Sequence, residues 1–469
     1  NGVIVINQDV KIAPVAIAQG SLTVRITETP QVSQPSPFSS SGTTTTVNRT
    51  EVQVSESGTG RVAMLARGAS LRDLVNGLNS LGVSPRDLIG ILQTLKSAGA
   101  LRADLEAALP LVWGRRIVSL FIGGGTPSLF RPQAIEQLLS SVRALLPLEA
   151  DCEITLEGRA FGFDAAKAEQ VADAGVTRLS IGVQSFSTRV RRRLGRKLAG
   201  EDVAAFLGDL VALGLTAVVC DLIYGLPRQT LEGFERTLDL VCSASPDRVA
   251  LYSYAHLPTV FMPQRRIDAR LLPPAPDKVG MLSAAISQFR AAGYDYIGMD
   301  HFALHDDSLA VARRQGRLHR NFQGYSTHPD CDVIGLGVSA IGRVGPHYMQ
   351  NAKSLPEYYD ALRRGELPTV RGLTLSRDDL VRRAVIMAIM CQGRVDFESI
   401  ELAYLVDFRQ YFEAEMRLLE PLVESGLVLL ESDGVRVTAL GWYFVRAIAM
   451  VFDRHLQMDK AVERFSRII

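Results

Sequence analysis

The chain has 469 residues, more than one hydrophobic core ordinarily holds, so two or three domains are expected. Its 51 lysines and arginines stand against 50 aspartates and glutamates, and a net charge of +1 supplies no field for nucleic acid or an acidic membrane surface. No run approaches the roughly 18 apolar residues of a membrane span and no charged-then-apolar leader opens the sequence, so a soluble, cytoplasmic monomer is expected.

Residues 1–66 read as a β-rich module. VIVINQDV and SLTVRITET alternate as strands do, and SQPSPFSSSGTTTTVNRT is a flexible Ser/Thr/Pro/Gly loop that cannot bury a core. A strand over Arg61–Ala66 has its natural partner in RTEVQVSES just upstream, across the turn Ser57-Gly58-Thr59-Gly60. A hairpin closes over far less chain than a distant pairing, so the local one is expected. Residues 67–113 form a helical connector: Leu71, Leu74, Val75, Leu78 and Leu81 share one helical face, and a second helix opens at the N-cap Ser84 with Pro85 behind it.

Residues 114–375 change to a repeated strand, loop and helix. The stretch Ile117–Phe130, IVSLFIGGGTPSLF, is a strand running into Gly123, Gly124 and Gly125, a loop that presses bare N–H groups against a polar ligand or simply makes a tight turn. CEITLEG, RLSIGVQSF, AVVCDLIYGLP, RVALYSYAH and YIGMDHF follow as strands, with helices from Asp164, from about Glu201, from Thr230 and through Met281–Ala291. Apolar strands alternating with helices imply a parallel sheet buried on both faces, with its chemistry at the strands' C-terminal ends. Those ends carry Glu157, Gln184, Asp221 and His256. A single such residue serves equally as a helix cap or ion pair, but four on successive strands beside a triple-glycine loop point to a ligand pocket. The five cysteines, Cys152, Cys220, Cys242, Cys331 and Cys391, show no metal-ligand spacing and read as buried thiols.

Residues 376–469 are helical, with Ser376 as an N-cap before Asp378 and Asp379. LVLLESDGVRVT reads as a hairpin turning at Asp433-Gly434, giving a winged-helix-like shape without the basic stripe that DNA binding needs.

Two resemblances run through consecutive phrases. VIVINQDVKIAPVAIAQGSLTVRITETPQVSQP, RTEVQV and GASLRDLVNGLNSLGVSPRDLIGILQTLKSAGALRADL, about residues 1–106, resemble the C-terminal end of the flagellar P-ring protein. GGGTPSLF, EITLEG, RLSIGVQSF, DLIYGLPRQT, YSYAHLP, IGMDHFAL, GRLHRNFQGYSTHPDCDVIGLGVSAIG, QNAKSLPEYYDAL and RFSRII, within about 114–469, resemble the oxygen-independent coproporphyrinogen III oxidases, radical S-adenosylmethionine enzymes of haem biosynthesis. The second resemblance implies a part-barrel holding a 4Fe-4S cluster and two molecules of S-adenosylmethionine. A 5′-deoxyadenosyl radical would take hydrogen from a propionate of coproporphyrinogen III, which loses carbon dioxide on the way to protoporphyrinogen IX. Carried over by motif, Gly124 and Glu157 hold the cluster-bound cofactor with Ile341 against its adenine. Gly125, Thr126, Gln184, Arg196, Asp221 and Ala255 hold the second.

The chain departs from that family in two places. Gly158, Arg159 and Ala160 stand where the family continues Val-Asp-Pro. Its C-x3-C-x2-C triplet has no counterpart, for LRDLVNGLNSLG occupies that place and Leu74, Leu78 and Leu81 cannot ligate iron. The expected architecture is therefore a parallel (β/α) part-barrel of radical SAM type lacking its first strand and cluster loop, with a fusion seam near Glu106–Gly114. The other reading of the same chain is a structural fragment of the flagellar basal-body P-ring carrying an oxidase remnant.

Overall fold

A computed structural model describes residues 15–19, 22–33, 45–56, 62–65, 100–112, 114–124, 126–160, 163–193, 198–328 and 330–458. The amphipathic helices expected over 71–99, the loop residue Gly125 and Arg196 lie outside these residues. Among the described residues no helix is long and apolar enough to cross a membrane.

The first sheet is antiparallel in the order β1 (Val15–Gln19), β2 (Leu22–Ser33), β3 (Thr45–Glu56) and β4 (Val62–Leu65). Strand β4 pairs with β3, Val52 opposite Leu65 and Ser55 opposite Val62, which is the local hairpin expected from loop closure. The loop read over 33–50 is shorter than its composition suggests, because Thr45–Thr50 pair with Glu28–Ser33. Threonine and valine suit a pleated strand, and here that preference outweighs the loop-like composition.

Helix α1 (100–112) leads into the main body. There a seven-stranded sheet runs β10-β11-β9-β8-β7-β6-β5: β5 (Ile117–Ile122), β6 (Leu148–Gly158), β7 (Arg178–Gln184), β8 (Ala217–Tyr224), β9 (Arg248–Ser253), β10 (Tyr294–Gly298) and β11 (His301–Leu304). From β5 to β9 neighbours are parallel, and β6 is the one described partner of β5. Between them run α2 (Pro132–Leu145), α3 (Ala165–Asp173), α4 (Gly200–Ala212), α5 (Leu231–Ala244) and α6 (Ala275–Ala291). Their starts follow from side-chain caps, Asp164 accepting from the Lys167 N–H and Thr230 from the Gly233 N–H.

Two expectations change at the sheet. YIGMDHF is two strands, not one: the chain turns at Met299–Asp300 and β11 returns antiparallel to both β10 and β9, so that edge is mixed. Nor is the sheet apolar on both faces. Along β7 and β8, Leu179, Ile181, Val183, Val218, Cys220 and Leu222 are buried, while Ser180, Gly182, Gln184, Asp221 and Ile223 alternate with them on a half-exposed inner face. Period-two alternation puts the helices on one side of the sheet and a polar concavity on the other.

Beyond this sheet, the hairpin β12 (His319–Asn321) and β13 (Gly324–Ser326) precedes a sheet of β14 (Ile341–Val344), β15 (His347–Asn351) and β16 (Thr369–Thr374). Helix α7 (Arg377–Gln392) starts on Ser376, whose hydroxyl oxygen accepts from the Asp379 N–H, and a second small sheet runs β17 (Arg394–Asp396), β19 (Gly434–Val437), β18 (Val428–Leu430). Its hairpin turns one residue earlier than expected. Glu431 N–H donates to the Gly434 carbonyl, and Gly434 already pairs with Asp396, where a Cβ would collide with the Val395 carbonyl. Of the five cysteines, Cys152, Cys220 and Cys391 are buried, Cys242 is half-buried and Cys331 is exposed, so the burial expected of all five fails for the last.

Candidate functional site

The strand ends converge as the sheet twists. Glu157 lies beside Ser180, Gly182 beside Asp221, Asp221 beside Ala250 and Ala250 beside His301, all on the inner face. With adjacent strands about 4.8 Å apart, Asp221 and His301 sit about 10 Å from one another. Only Ala250 lies between them in that row, so the floor is open enough for a ligand.

The glycine loop forms one wall. Gly124 has φ +79°, a left-handed conformation that favours glycine, and its N–H donates to Glu157 Oε2 at 3.0 Å. A Cβ on Gly123 would stand 2.5 Å from the Phe121 ring and 2.9 Å from the Glu157 carboxyl carbon. Thr126 precedes a short 3-10 turn over Pro127–Leu129, and Ser128 below it accepts from the Arg159 N–H, so the rim residues Arg159 and Ala160 are tied to the loop.

Asp221 accepts from the Ser180 hydroxyl at 3.1 Å, yet burial pushes its carboxyl up to about 6, with Glu157 adding to the rise. Gln184 ends β7 at φ +70°. The fully buried Arg191 fixes that corner, donating to the carbonyls of Val183, Ser185 and Leu198 at 3.2, 3.1 and 2.9 Å. The Ala255 carbonyl is already engaged by Gln264 Nε2 at 3.0 Å. Ile341 opens β14 and is 41% exposed, a large apolar side chain with no core to fill.

Several groups at this mouth carry no sequence signal as single residues. Asp300 follows the β10 turn and is raised to about 6 by burial, and His301 is held neutral, lowered to about 3 by burial and then by the arginines around it. His301 Nδ1, Tyr254 OH, His256 Nδ1 and Arg320 Nε are buried without a hydrogen-bond partner. Buried polar atoms are seldom left so unless a ligand completes them. The Glu157 and Asp221 carboxylates and the orphaned atoms of Tyr254 and His256 form a polar set that fits S-adenosylmethionine.

An iron–sulfur cluster does not fit. Such clusters are held by closely placed thiolates, the first cysteine of the chain is Cys152, and no three His, Cys, Asp or Glu among the described residues are grouped to hold a metal ion.

Helix α1 closes the far side. Asp104, 1% exposed, accepts from the Gly337 N–H at 2.7 Å and the Tyr358 hydroxyl at 2.8 Å. Asn351 Nδ2 donates to the carbonyls of Gly335 and Gly337 at 3.2 and 3.0 Å, so the loop before Ile341 is pinned from both sides.

Three family models match the chain: the flagellar P-ring protein over residues 1–107, the radical SAM superfamily over 102–241 and the HemN C-terminal domain over 375–444. The oxygen-independent coproporphyrinogen III oxidase of Salmonella typhimurium is 41% identical over 370 residues, covering 79% of this chain and 81% of that protein. That of Pseudomonas aeruginosa is 42% identical over 357 residues, covering 75% and 77%. The solved structure of coproporphyrinogen III oxidase (HemN) from Escherichia coli, a radical SAM enzyme, superposes with a TM-score of 0.74 at 40% identity over 78% of this chain and 84% of that one.

Proposed function

The chain belongs to the family of oxygen-independent coproporphyrinogen III oxidases, and from that premise we propose that its barrel serves their reaction, the oxidative decarboxylation of coproporphyrinogen III to protoporphyrinogen IX with S-adenosylmethionine. The observation that carries the reading is the inner-face row of Asp221 and His301 beside the glycine loop, with four buried polar atoms left for a ligand.

Gly124 and Glu157 would hold one S-adenosylmethionine, with Ile341 against its adenine. Gly125, Thr126, Gln184, Arg196, Asp221 and Ala255 would hold the second. When bound, the first of these, the cluster-bound molecule of the family, would be the source of the 5′-deoxyadenosyl group that takes hydrogen from a propionate. Loop N–H groups suit the carboxylate of such a cofactor, and an ionised Asp221 suits the ammonium or ribose hydroxyls of the second. The thiolates that would bring the first molecule an electron are missing from this sequence, so the chain's own residues supply binding and orientation but not that electron.

Helix α1 spans the overlap of the P-ring and radical SAM matches and is locked to the loop before Ile341 through Asp104. The meeting of the two matches at 102–107 supports a seam near Glu106–Gly114, and the strand order supports a part-barrel that begins at β5 without its first strand and a winged-helix-like cover after residue 376. The sheet of β1–β4 is then a P-ring-like passenger, and the chain acts as a monomer on a porphyrinogen.

Calorimetric titration with S-adenosylmethionine tests the reading. Binding is expected to weaken as the pH falls below about 6, where Asp221 takes up its proton, and to be lost in Asp221→Ala. A parent protein that binds none overturns it.

A further inference from the structure

A cavity of about 380 Å³ lies between β12, the sheet β14–β16 and helix α7, and five arginines line it: Arg320, Arg343, Arg382, Arg383 and Arg454. Four are neutralised. Arg343 and Arg383 share Asp330, Arg382 pairs with Asp378 and Glu415, and Arg454 also reaches Asp378. Arg320 alone of the five has no ion pair among the described residues, and its Nε is buried without a hydrogen-bond partner. It is held in place all the same, because its guanidinium lies over the Tyr325 ring at 5.5 Å and the Tyr325 hydroxyl donates to the Met390 carbonyl of α7. Arg320 is half-buried, but its Nε is wholly enclosed and that N–H lacks an acceptor, so its site is completed by an anion.

The neighbouring polar group points the same way. The His301 ring meets the Tyr325 ring edge-on at 5.5 Å and the Tyr252 ring at 6.2 Å, and its Nδ1 is the second orphaned atom at this wall. Charge is thus segregated across the mouth. Glu157 and Asp221 stand on β6 and β8, near the glycine loop, and the Arg320 guanidinium, which has Asp300 as a charge neighbour but no ion pair among the described residues, stands on β12, beside a cavity to which the residues of β5–β8 contribute nothing. The carboxylate wall suits a cation and hydroxyls, so the cofactor is served there. The β12 wall suits a carboxylate carried by the other reactant.

We propose that Arg320 binds a propionate carboxylate of the tetrapyrrole through its planar pair of N–H groups, with Tyr325 as the platform that orients it. This rests on the function proposed above, and a carboxylate is also present on S-adenosylmethionine, so the two sources are separated by experiment. Parent, Arg320→Gln and Arg320→Lys are titrated with coproporphyrin III, with its tetramethyl ester and, separately, with S-adenosylmethionine. A lost charged hydrogen-bond pair is expected to weaken coproporphyrin III binding by roughly tenfold to a hundredfold in Arg320→Gln and by less in Arg320→Lys. The ester should bind parent and variants alike, and cofactor affinity should not move. Should the urea midpoint of Arg320→Gln collapse, Arg320→Lys is judged by the same three titrations. Equal binding of coproporphyrin III by parent and variant, equal losses for acid and ester, or a fall in cofactor affinity instead each overturns the assignment to Arg320. A parent that binds S-adenosylmethionine but no coproporphyrin III overturns this assignment and leaves the cofactor site standing, whereas a parent that binds neither overturns the proposed function itself.

Discussion

Asp221→Asn should make the protein more stable at alkaline pH while removing its hold on the cofactor. In the folded chain burial raises the Asp221 carboxyl from 3.8 to about 6. That rise of about two pH units corresponds to about 3 kcal/mol at about 1.4 kcal/mol per unit. Water reaches the half-exposed inner face, which screens the effect and leaves about 1–2 kcal/mol. The sign follows from the direction of the shift. The native state holds a proton that the unfolded chain sheds, so the favourable contribution is fully present below about 3.8 and is lost as pH rises through about 6. At pH 8 the parent therefore carries the whole cost of a buried carboxylate, and the asparagine variant carries none while its amide oxygen still accepts from Ser180. Urea unfolding at pH 8 and pH 5 reads the difference. The variant should be the more stable at pH 8, with the gap reduced to about half at pH 5. A variant less stable than the parent at pH 8, or a gap that does not narrow as pH falls, refutes the reasoning that this carboxylate is kept for a ligand at the expense of the fold.

Asp104→Ala leaves the Gly337 N–H and the Tyr358 hydroxyl buried without their acceptor and should cost about 1–3 kcal/mol in thermal or urea unfolding, with Asp104→Asn closer to the parent. Gly123→Ala places a methyl against the Phe121 ring and the Glu157 carboxyl; it should cost about 1–3 kcal/mol by overpacking and weaken S-adenosylmethionine binding as Glu157 is displaced from the Gly124 N–H. An alanine there that leaves both stability and binding unchanged would contradict the packing described for the loop.

The barrel was legible because its signals are local. Strand and helix alternate from Ile117 onward, and Asp164, Thr230 and Ser376 cap the helices that their positions announce. Glu157, Gln184 and Asp221 could be placed at one mouth because parallel strands end at one side of a sheet. Register and chain return were not legible. IGMDHF is short enough to read as one strand, and the turn at Met299–Asp300 goes with β11 pairing antiparallel to both β10 and β9, a tertiary fact. Gln184 gives no hint of its left-handed backbone, which the buried Arg191 fixes through three carbonyls. Arg320 and His301 belong to the mouth only through tertiary contact, and no spacing along the chain relates them to Asp221. Helix α1 lay inside the expected connector, and nothing in the spacing of its leucines shows that Asp104 would be buried against a loop more than two hundred residues away.

Anaerobic reconstitution with iron and sulfide, followed by reduction in the presence of S-adenosylmethionine and coproporphyrinogen III, tests the central claim most directly. A barrel that keeps its cofactor and substrate walls but has no closely placed thiolates should bind S-adenosylmethionine, stay colourless, retain no stoichiometric iron and release no 5′-deoxyadenosine. A brown protein that retains iron and forms 5′-deoxyadenosine together with protoporphyrinogen IX would contradict it.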